Sequence, residues 1–193
     1  YAQAHAQVRS ISSWLRTQGV KPGDRVAIAM RNYPEWLLAY WAIVSMGATV
    51  VGMNAWWTGP EMRYALDDAE PKVLILDAER LARLNDEDLS NLPCVLVRDQ
   101  DSRTVPWTEL VNTEPDGQAN TDMTVDPDSD ACIFYTSGTT GRPKGAQLTH
   151  RGCVHNVYSM LFAGALLRTL AVNAGTIQAD DPAPTPASLV TTP

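Results

Sequence analysis

Short, continuously apolar runs set between helix-like segments constrain this chain more than any other feature. They are Arg25–Met30, Ala48–Gly52, Lys72–Asp77, Cys94–Val97 and Asp130–Tyr135. A strand with one wet face alternates apolar and polar residues, whereas a strand covered on both faces does not. Runs of this kind, alternating with helices, predict an α/β fold with helices packed on a mostly parallel sheet. Ala2–Gln18 reads as an amphipathic helix, with Val8, Ile11, Trp14 and Leu15 at helical spacing and Gly19 as its cap. Lys21-Pro-Gly-Asp24 is turn chemistry. The next helix is predicted over Pro34 to about Met46, with Trp36, Leu37, Tyr40, Trp41 and Val44 as its apolar stripe and Gly47 at its end.

Further along, Glu61–Ala69 reads as a short helix entered through Gly59-Pro60, and Leu81–Leu92 as a weaker one. Pro106–Val111 suggests a helical turn, and Asn112–Ser129 a surface connection rich in Asp, Thr, Asn, Gly and Pro. Thr149 to about Val172 is expected to be mostly helix, with the apolar stretch Val154–Leu167 buried. Gln178–Pro186 reads as another surface loop, and Ser188–Thr192 as the start of a last strand.

Composition narrows the function classes. The chain has 193 residues, 45% of them apolar, so it can build a core without a disulfide or metal staple. Its 22 acidic against 15 basic residues give a formal net charge of −7, which argues against a nucleic-acid binder needing a basic face. Cys94, Cys132 and Cys153 form no CxxC and no Cys/His cluster at zinc spacing, and are expected to be reduced thiols of a cytoplasmic protein. No apolar run reaches the length of a spanning helix, which leaves only peripheral membrane contact open. No signal peptide is visible, although the chain begins at Tyr1 rather than Met.

The densest chemical information lies in Tyr135-Thr-Ser-Gly-Thr-Thr-Gly-Arg-Pro-Lys-Gly145. Gly138, Gly141 and Gly145 let the backbone approach an anion closely, and successive N–H groups in such turns form an anion-binding nest. Thr136, Ser137, Thr139 and Thr140 add hydroxyls, and Lys144 adds a mobile positive charge behind Pro143. Hydrogen bonds to charged groups contribute roughly 1.5–3 kcal/mol each, so a few such donors suffice for a polyphosphate. The phosphate loop G-x-x-x-x-G-K-[ST] does not match, because Lys144 is followed by Gly145; a kinase of that type is disfavoured. Nor does the segment open directly into a helix, since Ala146-Gln-Leu-Thr149 intervenes.

Tyr135–Gly145 resembles the signature of the acyl-adenylate-forming (AMP-binding) enzymes, which include acyl-CoA synthetases, aryl-CoA ligases, luciferases and peptide-synthetase adenylation domains. Gly47-Ala-Thr-Val-Val-Gly-Met-Asn54, Pro60-Glu61 and Tyr64-Ala-Leu-Asp-Asp-Ala-Glu-Pro-Lys72 are similar to the family's upstream block, with Gly52 standing where many members have Pro. That difference is expected to alter one turn. The resemblance implies ATP-dependent activation of a carboxylic acid as an acyl-AMP, then transfer to the thiol of coenzyme A. It implies that Thr136, Ser137, Gly138, Thr139, Thr140, Gly141 and Lys144 hold the ATP phosphates, and that Thr139 contacts Mg²⁺. Fatty acids are the favoured acids, on the soft ground of the Thr139-Thr140 pair and the absence of a carrier-protein motif.

The resemblance also implies downstream motifs that do not occur before Pro193, among them a Tyr-Gly-x-Thr-Glu segment and an adenylation lysine. Residues 1–193 are therefore expected to be a partial AMP-binding N-terminal domain without C-terminal subdomains, inactive and aggregation-prone alone. A non-catalytic, truncated nucleotide-binding remnant is the competing reading, and open-reading-frame length separates the two. His150 and His155 read as structural, Glu61, Asp67 and Asp68 as solvated charge, Trp56-Trp57 as packing, and Asp180-Asp181 as loop.

Overall fold

A computed structural model describes residues 1–117, 124–136, 143–178 and 180–182. Its strands are β1 (Arg25–Ala29), β2 (Thr49–Gly52), β3 (Val73–Asp77), β4 (Cys94–Val97), β5 (Val105–Pro106), β6 (Asp130–Thr136) and β7 (Lys144–Thr149). The helices are α1 (Ala2–Thr17), α2 (Pro34–Ser45), α3 (Gly59–Ala69), α4 (Ala78–Leu81), α5 (Asp86–Leu89), α6 (Trp107–Asn112) and α7 (His150–Asn173). The strands form one sheet in the order β5-β4-β3-β1-β2-β6-β7. Every neighbouring pair is parallel except β6 and β7. Parallel pairing aligns the carboxyl ends of β1, β2, β3, β4 and β6 along one edge of the sheet. That edge is where open α/β sheets bind ligands.

The apolar runs are continuous because both faces of the sheet are covered. Val26, Ile28, Val50, Val73, Ile75, Val95 and Val97 pack against Ile11, Trp14, Leu15 and Ile43 of α1 and α2. Ala27, Ala29, Val51, Leu74, Leu76 and Leu96 pack with Met62, Ala65 and Leu66 of α3 on the other face. Gly47 closes α2 at φ +74, a left-handed conformation that glycine adopts without a Cβ penalty.

Five expectations need correction, the last of them at Gly52. The buried stripe of α2 is Ala39, Ala42, Ile43 and Val44, while Leu37 and Trp41 are 40% and 57% exposed. Almost every residue of this helix is apolar, so its sequence carries two plausible stripes. The alanine side wins by allowing α1 close enough for the Ser12 hydroxyl to donate to the Ala42 carbonyl at 2.9 Å. Leu81–Leu92 is not one helix but the two turns α4 and α5, because Asn85 starts a new one: its side chain accepts from the Asp88 amide at 3.0 Å.

The third correction is β7, where the short link after the glycine-rich segment is a strand. The fourth is α7, which has no buried residue. Only its first turn reaches the sheet, and among the described residues no element covers the rest. Ser188–Thr192 and part of Asn112–Ser129 lie outside the described residues. Among the described residues no helix is long and apolar enough to cross a membrane.

Gly52 does not sit in a turn. It is the last residue of β2 and pairs in register with Phe134 of β6. A Cβ built there would meet Phe134 Cε1 at 2.5 Å, so the phenyl ring occupies the space a side chain would need.

Candidate functional site

β6 carries the site to the sheet edge. It enters the core at Ala131, Cys132 and Ile133 and emerges to exposed Thr136. β7 returns antiparallel, and Lys144 lies directly across from Thr136. The Thr136 hydroxyl lies 3.5 Å from the Lys144 carbonyl, a long contact. A hydroxyl and an ammonium-bearing residue therefore face solvent at the carboxyl end of β6, a donor set suited to phosphate oxygens. Both flanking elements are strands, paired antiparallel, unlike the strand-to-helix setting of the phosphate loop rejected on sequence. Ser137, Gly138, Thr139, Thr140 and Gly141 lie outside the described residues. Among the described residues no cluster of three or more His, Cys, Asp and Glu side chains is placed to hold a metal ion.

The β6–β7 pair is braced from below. The Tyr135 hydroxyl donates to Asp68 of α3 at 2.6 Å, and its ring meets Trp57 edge-on at 5.6 Å. Burial, then the hydrogen bond to Asp68, push the phenol well above its ordinary pKa, so it stays a donor. Asp68 is exposed, as its reading as solvated charge expected, and it also ties α3 to the strand that carries the site. A Cβ on Gly145 would meet Ile133 Cγ2 at 2.9 Å, so this glycine lets β7 lie close on β6.

Sequence reasoning missed a buried ion pair on the same edge. Asp77 ends β3 and caps α4 by accepting from the Arg80 amide at 3.0 Å. The Arg80 guanidinium is fully buried and lies 3.0 Å from the Asp77 carboxylate. It also donates to the Ala55 carbonyl, which anchors the Asn54–Trp57 segment leaving β2. Arg31, after β1, stacks on the Trp56 ring at 3.9 Å. The spacing Asp77-x-x-Arg80 at a strand-to-helix junction was the available signal. What it lacked was any sign that the arginine would be buried.

α7 starts immediately after β7. Thr149 caps it, accepting from the Gly152 amide at 3.1 Å, and Arg151 pairs with Asp128 at 2.6 Å. His150 Nε2 is buried without a hydrogen-bond partner among the described residues, and burial lowers the imidazole pKa. An unfolded histidine titrates near ~6.5, so the folded chain binds fewer protons there and loses stability as pH falls through that value. The melting temperature is expected to drop between pH 7.5 and pH 5.5, and the drop to shrink in His150→Phe. Equal slopes for both proteins in a thermal scan would exclude His150 as the source. Asp181 behaves as loop: its carboxylate accepts from the Gln178 amide at 2.7 Å.

A family model described as AMP-binding enzyme matches residues 1–176. The chain belongs to the AMP-binding enzyme family. Feruloyl-CoA synthase from Amycolatopsis sp is 35% identical over 164 residues, covering 83% of this chain and 30% of its own length. 4-Coumarate–CoA ligase 1 from Arabidopsis thaliana is 30% identical over 81% of this chain and 29% of its own. Enterobactin synthase component F from Shigella flexneri is 34% identical over 83% of this chain, which spans only 11% of that protein. The solved structure of the anthranilate CoA ligase AuaEII with anthranoyl-AMP superposes with a TM-score of 0.67 at 26% identity, covering 76% of this chain and 29% of that one. The chain thus spans less than a third of these AMP-binding relatives.

Proposed function

We propose that this chain supplies the phosphate-holding part of an acid–thiol ligase. The reaction activates a carboxylic acid with ATP as an acyl-AMP, releases pyrophosphate, and passes the acyl group to the thiol of coenzyme A. The observation that carries this reading is the pairing of Thr136 with Lys144 at the carboxyl end of β6, in a chain of the AMP-binding family. Thr136, Ser137, Gly138, Thr139, Thr140, Gly141 and Lys144 hold the β- and γ-phosphates, which fixes the α-phosphate for in-line attack by the carboxylate. Thr139 would contact Mg²⁺ through its hydroxyl, and the ion would supply neutralisation of phosphate charge. Positioning and charge neutralisation, not covalent participation, are what such a transfer asks of the protein.

The favoured acid is a fatty acid and the favoured compartment the cytoplasm, where the three free thiols are stable. A second reading, an aryl acid, is favoured by the names of the feruloyl-CoA and 4-coumarate relatives. ATP–pyrophosphate exchange with a panel of fatty, aryl and amino acids decides between them, using protein made from the complete gene. Exchange with fatty acids and appearance of the acyl-CoA are expected. Exchange with aryl acids alone selects the second reading. No exchange with any acid, in a protein that binds ATP, would leave the nucleotide-binding remnant.

A further inference from the structure

The end of β6 is held from both faces of the sheet before the strand reaches Thr136. Phe134 packs against the cluster formed with α1 and α2 and lies over Gly52. Tyr135, the next residue, points to the opposite face and packs against the cluster formed with α3. There its hydroxyl donates to Asp68 at 2.6 Å, between residues 67 positions apart. That length is typical of a hydroxyl on an ionised carboxylate. The bond lies at a cavity of about 350 Å³, lined by Arg25, Asp68 and Glu70 and by Tyr135, Gly145 and Gln147. Arg25 is turned away from it, to the Ala69 carbonyl and to Glu70 at 3.6 Å.

We propose that Asp68 and Tyr135 are positioning residues for the nucleotide, whose hydrogen bond sets the Thr136–Lys144 pair in the place that ATP phosphates require. The proposal rests on the phosphate role given above to Thr136 and Lys144. Neither Asp68 nor Tyr135 touches the phosphates; both act through the strands. Tyr135 is covalently next to Thr136 and lies across from Gly145, the neighbour of Lys144, so a shift of Tyr135 moves both phosphate-holding residues. The bond is exposed to solvent, and the core residues Ala131, Cys132 and Ile133 anchor β6 without it. Its loss therefore costs little global stability and acts on local position. A misplacement of about 1 Å costs up to roughly 100-fold in such chemistry, and a loosened brace is expected to cost part of that.

Rates of ATP–pyrophosphate exchange, with ATP and acid varied in turn, test this on protein made from the complete gene. Tyr135→Phe removes the hydroxyl and keeps the ring beside Trp57, and Asp68→Ala removes the acceptor. Each is expected to raise the KM for ATP by roughly 10-fold and to leave the KM for the acid within about twofold. The double variant should be no worse than either single one, because both remove the same bond. Asp68→Asn keeps a neutral acceptor and should recover part of the loss. Melting temperatures should stay within about 3 °C of wild type, while amide hydrogen exchange at β6 and β7 rises. An unchanged KM for ATP in Tyr135→Phe, losses that multiply in the double variant, or equal rises in both KM values would each overturn the proposal. In a wild type that binds ATP without exchange, the Kd for ATP replaces KM as the readout. A wild type that binds no ATP overturns the phosphate reading itself, and this proposal with it.

Discussion

Arg80→Ala is expected to lower the melting temperature by about 10 °C. The guanidinium has no exposure, and its partner Asp77 is 5% exposed. Removing one member of a buried pair costs roughly 3–5 kcal/mol, because the other charge is left buried and uncompensated. At roughly 2–4 °C per kcal/mol for a domain of this size, that loss is large in a thermal scan. The same change removes the Arg80 donations to the Ala55 carbonyl and leaves it only the one from Arg83 at 3.0 Å, which loosens the Asn54–Trp57 segment. Arg80→Lys keeps the charge but loses the fork that reaches Asp77 and Ala55 together, so an intermediate value is expected. A fall of under about 3 °C for Arg80→Ala would mean that the pair contributes no more than an exposed one.

The second large effect concerns chemistry. Lys144→Ala, in protein made from the complete gene, is expected to slow acid-dependent ATP–pyrophosphate exchange by roughly 10- to 100-fold. This is the factor that one charged hydrogen bond of about 1.5–3 kcal/mol supplies, at ~1.36 kcal/mol per tenfold. Binding of the carboxylic acid, measured separately by calorimetry, should change little, since the lysine is assigned to the phosphates. The side chain of Lys144 is exposed at the start of β7, and its backbone contact with Thr136 does not depend on that side chain. The fold should therefore survive, which a circular-dichroism melt checks. Unchanged exchange would remove Lys144 from the phosphate site.

How far the amino-acid sequence reaches depends on the length scale of each question. Cys94–Val97 is a strand over the expected residues, and β1, β2, β3 and β6 differ from expectation only at their ends. A strand buried on both faces is written as a contiguous apolar run, and no distant partner is needed to recognise it. The glycine- and hydroxyl-rich segment was legible for the same reason. By contrast, β7 was hidden because Lys144–Thr149 lacks an apolar run, and its residues are mostly exposed along the sheet edge. Such a strand is defined by its hydrogen bonds to β6, and six-residue patterning does not encode those. The helix α7 was expected to be buried because its residues are apolar, yet none of its residues is buried.

Local chemistry therefore settled the α/β class and the positions of most strands along the chain, and it pointed to the segment proposed to hold phosphate. Each of these follows from residues that are neighbours in sequence, through burial periodicity or backbone freedom. Packing between distant segments decided the rest. It placed the alanine face of α2 against α1, Phe134 over Gly52, and Arg80 between Asp77 and Ala55. It also set Tyr135 on Asp68. These contacts join residues up to 82 positions apart, as with Gly52 and Phe134. Their energies depend on which side chains meet in a water-free space, a property that exists only once the sheet has closed on its helices.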